Sequence, residues 1–169
     1  LFALTYLFIS FYTFTIIANL IGAPFNGILA AKVEQLLTGQ LPPESDESIL
    51  KAALPAIMGE LGKLFYLVMV SIPVLILMII PGLNAIGAVL WLILGFWFLA
   101  YEYADYPMGN HGISLKQQRK ELKAHYFQSL AFGAGAGVLL LIPVINFAAM
   151  PATVAGATRL WVDQQIKSS

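Results

Sequence analysis

The chain has 169 residues and no net formal charge; 59% of its residues are hydrophobic and only 11% are Asp, Glu, Lys or Arg. A soluble domain carries about 25% charged residues, so this composition excludes an ordinary water-soluble globule, and the single short Lys/Arg cluster excludes the basic stripe of a nucleic-acid binder. With no cysteine in the chain, disulfides, thiolate metal sites and cysteine nucleophiles are excluded too.

Three charge-free stretches organise the chain: Leu1 to Ala31, Leu64 to Tyr101 and Ser129 to Thr158. Each exceeds the ~20 residues that cross a bilayer core. Backbone groups in lipid must be satisfied internally, and no alternating pattern suggests a β-barrel. The expected fold is therefore all-α and integral to the membrane.

The first stretch opens at Leu1 with neither a Met nor a basic flank, which reads as the edge of a longer chain. It predicts a long helix over 1–37, kinked at Gly22–Pro24. Residues 38–48 form a polar loop, and Ser48 is placed to cap the next helix. Residues 49–101 read as a first helical hairpin broken at Pro81-Gly82, since Pro-Gly marks a turn. Residues 102–128 read as a polar loop plus a short amphipathic helix over about 115–126, opened by a Ser114–Gln117 capping box. In that helix Leu115, Arg119, Leu122 and Tyr126 share one face, and Lys116, Lys120 and Lys123 a neighbouring one. It is expected to lie on the membrane surface, lysines toward headgroups or water. Residues 129–163 read as a second hairpin, broken at Pro143.

Length sets how deep these hairpins reach. Ser129 to Ile142 covers roughly 21 Å of helix, short of the ~30 Å hydrocarbon core. The arms of the first hairpin come to about 25–29 Å, which is borderline. Hairpins with tips inside the membrane are favoured over spanning ones, at least for the last stretch. Either way each hairpin returns to the side it left. All nine Lys and Arg then share one side, and the positive-inside rule makes it cytoplasmic.

Four constellations could carry chemistry. Half-helices starting at the breaks aim N–H groups and positive dipole ends into the membrane, an anion-binding geometry. Asn84 and Asn146 sit near those starts, as caps or as steps of an ion path. Glu102 and Asp105 share a helix face, and Arg119 is their expected partner. With His111 they form a polar core network, either a structural knot or a lining for substrate or protons. Asn19 and Asn26 flank the Gly22–Pro24 segment near one face, satisfying a kink or lining a pore. Gly133 and Gly137 form a G-x-x-x-G face for close helix packing. Nothing supplies an enzyme's nucleophile or a metal set, no phosphate-binding loop is present, and no cofactor or metal is expected.

Several motifs carry a resemblance. GAPFNG (Gly22 to Gly27), LTGQLPP (Leu37 to Pro43), IPGLN (Ile80 to Asn84), YADYPMGNH (Tyr103 to His111), IPVIN (Ile142 to Asn146) and MPATVAGATRLW (Met150 to Trp161) together resemble the bacterial CysZ sulfate permeases. The resemblance covers nearly the whole chain, with the motifs in the family's order. It implies an inner-membrane protein that brings sulfate into the cytoplasm for cysteine synthesis, with no ATPase of its own. It also implies two long spanning helices, further helices that half-penetrate the membrane, sulfite as a possible inhibitor, and homo-oligomers whose protomers can be inverted. The family's preceding helices and its Arg-Arg sulfate motif have no counterpart here. The implied substrate path is Asn19, Asn26, Asn84 and Asn146, beside the network of Glu102, Asp105, His111 and Arg119.

Overall fold

A computed structural model describes residues 2–43 and 49–168; side chains are described except at 3–4, 7–9, 11–21, 23–24, 49–56, 143–147 and 167–168. Ser48, expected as a cap, lies outside the described residues. The described residues form six helices: α1 (Phe2–Thr38), α2 (Ile49–Ile79), α3 (Asn84–Asn110), α4 (Leu115–Ala124), α5 (Tyr126–Leu141) and α6 (Pro143–Ser168). The protein is an all-α membrane protein.

The α2–α3 break falls at Pro81-Gly82 for a local reason. Leu83 N donates to the Ile80 carbonyl at 3.1 Å, and Gly82 has φ +85°. Pro second and a left-handed Gly third make the sequence of a type II turn. The two helices then close tightly. A Cβ on Gly87 would lie 2.9 Å from the Met78 amide nitrogen, so only Gly fits there.

Two sequence expectations need correction. The first is the reach of the first hairpin. Its apolar arms run over Ile57–Ile79 and Asn84–Asn110, 23 and 27 residues long, or roughly 35 and 40 Å. Both are long enough to cross a bilayer, so this hairpin is spanning by length. Only 11% and 22% of their most apolar windows are buried in the protein, which is the signature of lipid-facing helices rather than core ones. The second correction is at residues 102–110, expected as loop. Here α3 stays helical through Glu102, Asp105 and Pro107, because Lys63 pairs with both carboxylates and Tyr103, Ala104 and Met108 are buried. In the first stretch, α1 runs as one assigned helix through Gly22–Pro24.

The last part of the chain stays short. Helix α5 has 16 residues, roughly 24 Å, less than the hydrocarbon core. Ile142 is extended (φ −90°, ψ 108°) and ends it. Helix α6 begins at Pro143, the position where a missing N–H costs nothing. Helix α4 meets α5 at 101°, so α4 lies across the direction in which α5 travels. Ser114 caps α4 by accepting from Gln117 N at 3.4 Å.

Helix α3 is the hub, packing against all five other helices. One core cluster contains Trp97, Tyr101, Ala104, Met108, Leu122, Trp161 and Val162. A second joins Ala30, Tyr103, Ala136, Val154 and Ala157. The Gly133/Gly137 face packs on α3 of the same chain. A Cβ on Gly133 would fall on the Phe96 carbonyl, whereas one on Gly137 would make ordinary contact with Leu99 and Phe96.

Candidate functional site

The polar side chains of the lower half of α3 sort into three groups. The first is an ion cluster at the open end of the α2–α3 hairpin. Lys63 Nζ lies 2.7 Å from Glu60, 3.1 Å from Glu102 and 2.9 Å from Asp105. Lys63 is buried, while Glu60 and Glu102 are largely exposed. Asp105 also accepts from Gln118 Nε2 at 2.7 Å, and the same amide nitrogen donates to the Ile113 carbonyl at 3.0 Å. Three carboxylates around one ammonium leave an excess of negative charge.

Arg119 was the expected partner of these carboxylates, and it is not. Its guanidinium stacks 4.5 Å from the Tyr66 ring centroid and donates to the Tyr101 hydroxyl at 3.3 Å. A planar guanidinium suits an aromatic face, and Lys63 has already filled the acidic site from a helix 39 and 42 residues away in sequence.

The second group sits between α1, α3 and α6. His111 Nε2 lies 2.8 Å from Glu34 Oε1, and its ring centroid is 4.5 Å from that of Trp161. Glu34 Oε2 and Trp161 Nε1 are buried without a hydrogen-bond partner. His111 therefore belongs with Glu34, apart from the Lys63 cluster.

The third group is a seam of amides. Asn26 is buried, and its Nδ2 donates to the Met150 sulfur at 3.4 Å. The same side chain also hydrogen-bonds Tyr106, and the thioether is the weaker acceptor of the two. Asn110 Nδ2 donates to the Gly27 carbonyl at 2.8 Å, tying the end of α3 to α1 one residue beyond Asn26.

The expected path residues fare differently. Asn84 is exposed at the hairpin tip, where its Oδ1 accepts from Ala85 N at 2.9 Å. Helix α3 is capped at Leu83 with no side-chain hydrogen bond, so this contact is local to Asn84 and not a helix cap, and it leaves Asn84 apart from Asn26. Asn19 and Asn146 lie on helices whose backbone is assigned, but their side chains fall outside the described residues. Sequence reasoning missed Lys63, Glu34, Gln118 and Asn110. Lys63 had a signal: it is the only Lys or Arg between Lys51 and Lys116. A lone cation at the edge of an apolar run needs a partner.

Comparison with known proteins converges on one family. Residues 1–151 match the family described as sulfate transporter CysZ/Etoposide-induced protein 2.4. The chain is 41% identical over 168 residues to the sulfate transporter CysZ of Pseudomonas aeruginosa, covering 98% of this chain and 68% of that protein. It is 42% identical over 167 residues to the protein of the same name from Pseudomonas syringae pv. tomato, covering 98% of this chain and 66% of that one. For the one from Pectobacterium atrosepticum the figures are 40% over 163 residues, 95% and 59%. The chain belongs to the sulfate transporter CysZ family, and it is a multi-pass protein of the bacterial inner membrane.

Proposed function

We propose that this protein carries sulfate across the inner membrane into the cytoplasm, where it supplies sulfur for cysteine biosynthesis. The observation that carries this reading is identity near 40%, over nearly the whole chain, to proteins named sulfate transporters. The protein works as a channel-like or ion-coupled path without an ATPase of its own, not as an enzyme. It acts as a homo-oligomer, and sulfite competes with sulfate.

Charge argues for where the anion travels. A divalent oxyanion leaving water needs many donors, and the Lys63 cluster, with three carboxylates, repels it. Neutral amide donors do not carry that penalty. The buried amide of Asn26 supports a route along the α1–α3–α6 seam, which Asn19 and Asn146 extend. On this reading Glu102, Asp105 and Arg119 hold helices together, and His111 sits beside the route with Glu34.

The test is uptake of radiolabelled sulfate into liposomes containing the purified protein. Sulfate should accumulate and be displaced by excess unlabelled sulfate or sulfite. Asn26→Leu should cut flux severalfold while leaving membrane insertion and thermal stability intact, and Asn146→Leu should act likewise. Wild-type flux in both variants sinks the amide route. No sulfate-specific uptake by the unmodified protein favours the other reading, a structural or regulatory membrane protein.

A further inference from the structure

The surface of α4 is a second site, unconnected with the seam. Ser114, Lys116, Gln117, Arg119, Lys120 and Lys123 line one opening of about 560 Å³. Four of these six residues are cations. The one carboxylate of α4, Glu121, is engaged by Gln117 Nε2 at 2.6 Å. None of the three lysines has an ion-pair partner among the described residues. The opposite face of the helix is fixed in place. Leu122 and Gln118 are buried against α3, and Ser129 Oγ holds the Leu122 carbonyl at 3.1 Å.

The residues that follow α4 in the chain bear on which ligand it takes. Directly after α4 the chain turns through 101° into apolar α5. At that corner Tyr126 is 42% and Phe127 84% exposed. Aromatic rings at the junction of a polar and an apolar segment mark the headgroup level of a bilayer. A free inorganic anion would use the cations and have no use for Phe127. A phospholipid uses both, its phosphate among the lysines and its glycerol and upper acyl carbons along the rings.

We propose that α4 is a headgroup site for anionic phospholipid, with the phosphate bound by Lys116, Lys120 and Lys123 and the lipid backbone resting on Tyr126 and Phe127. Zwitterionic lipid places its own cation beside these lysines and binds more weakly. Occupancy pins α4 in the plane of the membrane and so fixes the angle at which α5 enters.

The experiment titrates the purified, detergent-solubilised protein with phosphatidylglycerol or phosphatidylcholine and counts bound lipid by native mass spectrometry. Phosphatidylglycerol should bind at least tenfold more tightly. The triple variant K116Q/K120Q/K123Q should lose that preference by roughly ten- to a hundredfold, given the contribution of each surface lysine to anionic-lipid binding, and bind phosphatidylcholine as before. The triple variant with arginine at the same positions should keep the preference, so loss of fold in the first variant cannot mimic the result. Retention of the preference in the glutamine variant, or its loss in the arginine variant, overturns the proposal. Inorganic sulfate or phosphate displacing phosphatidylglycerol at micromolar concentration also overturns it, because the groove would then be a site for free oxyanions.

Discussion

Replacing Lys63 by Met removes the one cation from the centre of the acidic cluster. The cost is set by the least exposed contact. Glu60 and Glu102 have side chains 62% and 47% exposed, so each pair contributes about 0–1 kcal/mol. Asp105 is only 25% exposed and Lys63 8%. Breaking a buried pair costs about 3–5 kcal/mol, and a discount is needed because Asp105 keeps the Gln118 donor and some solvent. A total of about 2–3 kcal/mol follows. At about 2–4 °C per kcal/mol for a chain of this size, thermal unfolding in detergent should fall by roughly 4–12 °C. Adding Asp105→Asn to the Met variant should restore part of the loss, because the stranded charge is gone. Arg119→Met should cost only about 0.5–1 kcal/mol for its aromatic stacking. The reasoning is refuted if Lys63→Met melts with the wild type, or if Arg119→Met proves the more damaging of the two. Either result would return the carboxylates to Arg119.

Two further substitutions probe how α3 holds its neighbours. Gly133→Ala puts a methyl group on the Phe96 carbonyl and should push α5 off α3, so that gel filtration shows aggregation or loss of the folded peak; Gly137→Ala meets only ordinary contacts and should elute like the wild type. Gln118→Leu strips a donor from Asp105 and another from the Ile113 carbonyl, and leaving such groups unpaired costs about 1–3 kcal/mol each. Its melting temperature should fall by several degrees, and Gln118→Glu should not rescue it because a second carboxylate would face Asp105.

What was legible in the sequence was local. Pro81-Gly82 dictates a turn through its own backbone chemistry, so the hairpin break is readable from two residues. The Gly133/Gly137 spacing marks a close crossing in the same way, though it does not say which helix arrives, and Phe96 of α3 is 37 positions away. The misreadings were tertiary. Glu102 and Asp105 look like a helix end because two acids after an apolar run usually meet water. Lys63 pairs with them from another helix, and α3 runs on to Asn110. Helical periodicity sets Arg119 apart from the lysines but says nothing about Tyr66 approaching its face. Gln118 carried no pattern that distinguishes a buried amide from an exposed one, yet it is among the most buried side chains of the core.

The position of the ion cluster along the hairpin bears on how the protein sits in the membrane. Lys63 is 16 residues before the end of α2, and Glu102 is 18 residues after the start of α3. At 1.5 Å per residue both lie roughly 24–27 Å from the Pro81-Gly82 turn, close to the ~30 Å of a hydrocarbon core. The half-exposed carboxylates therefore meet headgroups at one face while the exposed tip with Asn84 reaches the other. Helix α5 has no such reach. It starts from the lysine-rich corner at α4, on the same side as the ion cluster through the Gln118–Asp105 bond, and stops at Ile142 after roughly 24 Å. The spanning hairpin thus supplies the frame, and the short α5 brings its extended turn and the start of α6 to rest inside the bilayer. Backbone groups at such a depth need protein or water around them.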